Sequence, residues 1–222
     1  MSSSTYTGQV SVGGPAATRE LPGLTVRKLA VSEMANNAYL LTSPATGEAV
    51  LVDAAAEPQA LLELIGDARV AAVVTTHGHW DHHRALPEVV AATGATVVAH
   101  PADAADLPVP VDRPVEHGDT VPVGDQVLEV VHLRGHTPGS IALVWRGPAG
   151  AGTHVFTGDS LFPGGVGNTQ GDAARFASLV DDVEARLFGA LPDDTWVYPG
   201  HGDDTTLGAE RPHLAEWRAR GW

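Results

Sequence analysis

A run from Val70 to Thr75, apolar and rich in β-branched residues, ends directly on Thr76-His77-Gly78-His79-Trp80-Asp81-His82. An uninterrupted run of this kind suits a buried strand. His77, His79, Asp81 and His82 therefore stand together at that strand's carboxyl end. In extended chain, side chains at i and i+2 share a face. The spacing lets His77 and His79 aim at one point while Asp81 and His82 turn toward a second. Imidazole suits zinc, iron and nickel, and carboxylate adds charge neutralisation. A solvated, histidine-rich loop is the alternative reading of the same residues.

The second half of the chain argues against that alternative. Gly135-His136-Thr137-Pro138-Gly139 comes after an expected strand at Gln126–Leu133, and Gly158-Asp159-Ser160 after one at His154–Thr157. Pro199-Gly200-His201-Gly202 comes after one at Thr195–Tyr198. Each places one ligand-type side chain just past a strand and beside glycine, which lets the backbone turn sharply and leaves room for an ion. Taken together, these segments point to one site.

Further strands are expected at Leu24–Ala30, Asn37–Thr42, Ala49–Asp53, Ala95–Ala99 and Ile141–Trp145. Helical spacing marks Glu57–Gly66, His83–Ala92 and Asp172–Leu187, where Phe176, Leu179, Val180, Val183 and Leu187 recur every three or four residues. A short helix is expected in the tail after Gly208, and residues 1–20 read either as loose or as an edge strand. Strands and helices alternate in two halves, each with its own sheet. That predicts an α/β fold of one domain over residues 1–222, a four-layer αββα sandwich.

The sequence has 27 acidic and 13 basic residues, a formal charge of −14. Such a surface repels phosphate backbones, so nucleic acid is not an expected partner. There is no cysteine, which excludes disulfides, thiolate ligands and a cysteine nucleophile. The polar start, Met1 to Gly14, lacks the pattern of a signal peptide. No apolar run reaches the roughly 18–20 residues of a membrane span. The expected location is the cytoplasm, with no membrane partner.

In their order, Thr-His-x-His-x-Asp-His, Gly-His-Thr-Pro-Gly, Thr-Gly-Asp and Pro-Gly-His-Gly resemble the metallo-β-lactamase superfamily. Within it they resemble the glyoxalase II-like branch, the hydroxyacylglutathione hydrolases, over residues 24–210. The resemblance implies two divalent ions, zinc first, with iron or manganese as alternatives. One would be held by His77, His79 and His136, the other by Asp81, His82 and His201, with Asp159 bridging both. Asp81 and His82 are the implied catalytic residues, although a ligating Asp81 is a poor free base. Asp53 resembles a structural acid that orients a ligand from behind. Asn36-Asn37-Ala38-Tyr39 also resembles a family segment near the site.

The implied reaction is hydrolysis of a small-molecule thioester or ester, with a metal-bridging hydroxide attacking the carbonyl. An iron-dependent persulfide dioxygenase is the alternative, and a lactonase or a metal-binding non-enzyme stands further off. Relatives that grip glutathione tend to carry Arg or Lys where this chain has Asn168, and the extra helical domain of full-length glyoxalase II is not expected. Arg175 and Arg211 are the available substitutes for that grip. Ser160–Gly171 reads as a lid or pocket wall, or as a plain connection. Trp80 is expected to pack, and Trp217 and Trp222 to cover the core or to form a dimer contact. His83 is expected beside the site or at the surface, and His100, His117, His132, His154 and His213 at surface or satisfied core positions.

Overall fold

Seven strands of the first sheet lie side by side in chain order: β1 (Ala17–Leu21), β2 (Leu24–Val31), β3 (Asn36–Thr42), β4 (Glu48–Val52), β5 (Arg69–Val74), β6 (Thr96–Ala99) and β7 (Arg113–Pro114). The computed structural model describes residues 6–221; Met1 to Thr5 of the expected loose segment, and Trp222, lie outside the described residues. β1 to β4 pair antiparallel and β4 to β7 parallel. Helices α1 (Pro58–Ile65) and α2 (Leu86–Thr93) supply the crossovers from β4 to β5 and from β5 to β6 that parallel pairing requires.

The second sheet has the order β15-β14-β11-β10-β9-β8. Its strands are β8 (Thr120–Val123), β9 (Gln126–His132), β10 (Ile141–Arg146), β11 (Thr153–Gly158), β14 (Trp196–Pro199) and β15 (Thr205–Thr206). A small hairpin, β12 (Leu161–Phe162) and β13 (Gly165–Val166), comes after β11. Helix α3 (Ala173–Val183) then begins on Asp172, whose carboxylate accepts from the backbone N–H groups of Ala174 and Arg175. A π-helical turn, Glu184–Phe188, continues it. The tail forms α4 (Leu207–Glu210) and α5 (Leu214–Arg220).

Three apolar layers separate the four structural ones. Between the sheets, Leu24, Val26, Tyr39, Val52 and Val74 meet Leu128, Val130, Leu143, Trp145 and Phe156. On the outer face of the first sheet, Leu61, Leu64, Leu86 and Val89 cover Leu40, Leu51, Val73 and Val97. On the outer face of the second, Leu179, Val180, Val183 and Trp217 cover Val131, Val144 and Val155. β5 and β6 carry apolar residues to both faces because both faces are covered. This is the expected αββα sandwich.

Several local expectations are corrected. The helix expected from His83 begins at Leu86, because residues 80–82 are spent on a 3-10 turn that carries Asp81 and His82. The connection from Leu161 holds the β12–β13 hairpin, which glycines in the sequence concealed. β7 and β8 are short edge strands, each interrupted by proline, and carry no apolar run to announce them. Trp80 does not pack into the core: it is 56% exposed, with the Arg84 guanidinium 4.6 Å from its ring centre.

Candidate metal centre

Each side chain of the candidate site stands past the carboxyl end of a strand, where the two sheets meet. β4 delivers Asp53, β5 the segment Thr76–His82, β9 His136, β11 Asp159 and β14 His201. Backbone hydrogen bonds lock these ends together, two across the sheets, Ile141 N–H to Thr76 O (2.8 Å) and Asn37 N–H to Gly200 O (2.7 Å), and one within the second sheet, Gly200 N–H to Gly158 O (2.8 Å). Gly200 is required by this closeness, since a Cβ there would run into the Asp159 carboxylate and His82.

The ligand atoms fall into three overlapping groups, each within 4.8 Å: His77, His79 and His136; His77, His82 and Asp159; Asp81, His82 and His201. Thus all seven residues singled out from the sequence are brought together. Asp159 lies between the outer groups. One of its oxygens is 3.3 Å from His82 Nε2, and the other is 3.5 Å from His201 Nε2 and 3.7 Å from His136 Nε2.

The outward ring nitrogens fix how the inward ones point. His82 Nδ1 donates to Asp53 (2.9 Å), His136 Nδ1 to Asn168 O (2.9 Å) and His201 Nδ1 to Met34 O (2.9 Å). His77 Nδ1 lies 3.1 Å from the Thr76 hydroxyl, which itself donates to Asp53 (2.8 Å). Four Nε2 atoms are therefore turned to the centre. Among the described residues, the buried Nε2 atoms of His77 and His136 and one oxygen of Asp159 have no hydrogen-bond partner. Buried polar atoms are rarely left so. Nitrogen and carboxylate donors converging without partners fit a divalent ion.

Burial pushes the His77 imidazole well below its ordinary pKa and lowers that of His136 to about 4, keeping both neutral. Burial alone would raise the Asp159 carboxyl, but the charges of His82 and His201 beside it hold it well below the usual carboxylate range. Burial likewise opposes ionisation of Asp81, and its bonds from His201 and Asn36 and the charge of His82 outweigh it. The centre thus presents His77, His79 and His136 with lowered imidazole pKa values beside the ionised Asp81 and Asp159, the forms that ligate metals, while, against burial, the Asp159, Asp81 and Asp53 carboxylates raise the His82 and His201 imidazoles above their ordinary value.

Asp53 takes the orienting place expected of it. It holds a left-handed backbone (φ 56°), a strained conformation for a non-glycine residue, while accepting from Thr76 N–H, the Thr76 hydroxyl and His82. Asn36 gives its amide to Asp81 (2.9 Å). His83 is buried behind the metal loop, 3.3 Å from Gly78 O.

Sequence reasoning missed Asp103. This buried carboxylate accepts from Gly78 N–H (2.8 Å), Gly139 N–H (2.7 Å) and the Thr137 hydroxyl (2.5 Å), tying the loop of His77 and His79 to that of His136. It also missed Lys28, fully buried and paired with Asp204 (2.6 Å), whose ammonium donates to Gly202 O beneath the His201 loop (2.7 Å). Arg175 and Arg211 do not face the centre. Arg175 donates to the carbonyls of Gly135 and His136, and Arg211 pairs with Asp193.

The remaining histidines divide as expected. His154 is a satisfied core residue, His100 and His132 stack with ring centres 4.0 Å apart, and His117 and His213 are at the surface. Trp217 is buried over the second sheet.

The fold and the gathered donors define a metal-binding αββα protein. The chain belongs to the metallo-β-lactamase superfamily, whose family model matches residues 31–201. That superfamily consists mostly of metal-dependent hydrolases whose fold binds divalent metals. The chain is 38% identical over 168 residues to a hydroxyacylglutathione hydrolase of Fuscovulum blasticum, covering 75% of this chain and 62% of that one. It therefore spans less than two thirds of that relative. Among solved structures, ETHE1 from Myxococcus xanthus is 33% identical, with a TM-score of 0.76 over 87% of this chain and 84% of that one. TTHA1623 in a di-iron-bound form is 35% identical, with a TM-score of 0.67 over 83% and 96%. No helix of the described residues is long and apolar enough to cross a membrane.

Proposed function

We propose that this protein is a dinuclear metal-dependent hydrolase of a small-molecule thioester or ester. His77, His79 and His136 would hold one divalent ion, Asp81, His82 and His201 a second, and Asp159 both. The observation that carries the reading is the position of Asp159, between the two histidine groups with one buried oxygen unpartnered. The names of the hydroxyacylglutathione hydrolase relatives support a thioester, and the relative solved in a di-iron-bound form supports a two-ion centre.

Two such ions supply polarisation of the carbonyl and a water acidic enough to attack near neutral pH. The chain's part is to hold seven donors in register and to present them at one side of a cleft. Asp81, fixed by Asn36, and His82, fixed by Asp53, would hold the second ion and so help to position the water it supplies. None of these side chains needs to attack the substrate itself.

The test is metal content and turnover on one purified sample, with S-lactoylglutathione beside a simple acyl thioester, with and without oxygen. About two ions per chain and oxygen-independent hydrolysis are expected. The second reading is an iron-dependent persulfide dioxygenase. It is favoured by the three-ligand group that His77, His79 and His136 form without the others. About one iron per chain, with turnover only of a persulfide and only with oxygen, would establish it and sink the hydrolase.

A further inference from the structure

The donors His136, Asp159 and His201 open onto a cleft of about 920 Å3, a size suited to a small molecule. Away from those donors the side chains lining it are apolar on one side, with Asn168 and Asp203 the polar exceptions. Met34 stands 44% exposed there, and Phe162 and Pro163 come from the β12–β13 hairpin. The hairpin forms one wall of the cleft and is tied to the body of the fold. The Thr157 hydroxyl donates to Leu161 O (2.7 Å), and Gly164 N–H donates to Glu210 (2.8 Å).

Among the described residues lining the cleft there is no arginine or lysine. The nearby cations are committed elsewhere. Arg175 is held by the carbonyls of the His136 loop, Arg220 donates to Gly164 O at the hairpin turn (3.3 Å), and Lys28 is buried against Asp204. The charge that the cleft does present beyond the donors is negative. Asp203 is exposed on its rim and is held by the Gln9 amide (2.9 Å). Asn168 contributes a neutral amide on the opposite stretch of chain, its Oδ1 accepting from Gln170 N–H (2.7 Å). Away from the two ions, a carboxylate or phosphate on a bound carrier would lose water against an apolar wall, find no basic side chain, and meet Asp203.

We infer that the substrate's leaving thiol or alcohol is uncharged, carrying neither carboxylate nor phosphate, and that it seats against Met34, Phe162 and Pro163. Asn168 and Asp203 set this preference by withholding a cation and supplying an anion. The inference rests on the hydrolase reading and narrows it. It separates this chain from its relatives by the carrier, not by the reaction.

The test compares two thioesters of the same lactoyl group on metal-loaded protein, one of N-acetylcysteamine, which is uncharged, and one of glutathione. The uncharged thioester should have the higher kcat/KM by about tenfold or more. Asn168→Arg and Asp203→Arg, made separately, should each move that ratio toward glutathione by about tenfold. Binding is measured as well, by calorimetry with the S-hexyl thioethers of the same two thiols, which have no bond to cleave. If neither thioester turns over, the hydrolase reading fails while binding still decides the carrier. Preference for the uncharged thioether upholds it. Equal kcat/KM for the two thioesters, tighter binding of S-hexylglutathione, or binding of neither thioether overturns it.

Discussion

Replacing Asp103 by alanine should damage the centre although Asp103 lies in none of the three donor groups. The carboxylate is 1% exposed and accepts three hydrogen bonds, two from backbone N–H groups and one from a hydroxyl. A hydrogen bond to a charged group contributes about 1.5–3 kcal/mol, and a buried donor left without a partner costs about 1–3 kcal/mol. The three bonds share one acceptor, so their effects do not add in full. The expected loss for Asp103→Ala is therefore about 3–5 kcal/mol. Asp103→Asn keeps one acceptor oxygen but turns an amide NH2 toward existing donors, so about 2 kcal/mol is expected. Urea unfolding followed by tryptophan fluorescence, with chelator present, measures the structural part. Metal titration of the folded protein measures the rest. Because Gly78 sits between His77 and His79, and Thr137 and Gly139 lie in the turn after His136, the apparent metal affinity should fall about 10–100-fold. A loss below about 1 kcal/mol with unchanged metal affinity would refute the clamp.

Asp81→Ala should lower metal content and hydrolysis together in the same preparation; full activity with a full metal complement would remove Asp81 from the ligand set. Lys28→Met should cost about 3–5 kcal/mol in urea unfolding, because it strands the buried Asp204 carboxylate. Adding Asp204→Asn should recover much of that, and a single variant as stable as the parent would show that the pair is not needed. His154 offers a pH test away from the centre. Burial pushes its pKa down to about 4, with Nδ1 facing the Tyr198 hydroxyl (3.1 Å) and Nε2 donating to Ala151 O (2.9 Å). The unfolded imidazole has its ordinary value of about 6.5, so between these values the unfolded chain binds more protons. Its contribution is complete above about pH 6.5 and is lost as pH falls toward about 4, amounting to about 2 kcal/mol at pH 5. His154→Gln should lose less stability than the parent between pH 7 and pH 5 by that amount; parallel losses would refute the assignment.

The seven donors were legible because they stand where an apolar strand gives way to ligand-type residues, five of them beside glycine. β5, β11 and β14 are such strands, and the side chains just past them converge because parallel neighbours end on the same side. Asp53 likewise ends an apolar run, but its orienting role was implied only by the family resemblance. Asp103 performs a comparable task, yet it does not directly succeed a strand and sits in His100-Pro101-Ala102-Asp103, which reads as an ordinary loop. Its backbone partners are 25 and 36 positions away, in loops that leave different sheets. Lys28 occupies a strand position where a cation suggests a solvated face, and only the arrival of Tyr6, Gly8 and Asp204 above it makes that face an interior. The cleft's neutrality has the same character. Thirteen basic residues stand in the chain, and nothing in their spacing tells that Arg175 turns behind His136 rather than toward the cleft. Donor type is written locally because it depends on one side chain. Orientation and substrate charge depend on which distant groups the two sheets bring within hydrogen-bonding reach, so they become readable only once the sandwich is closed.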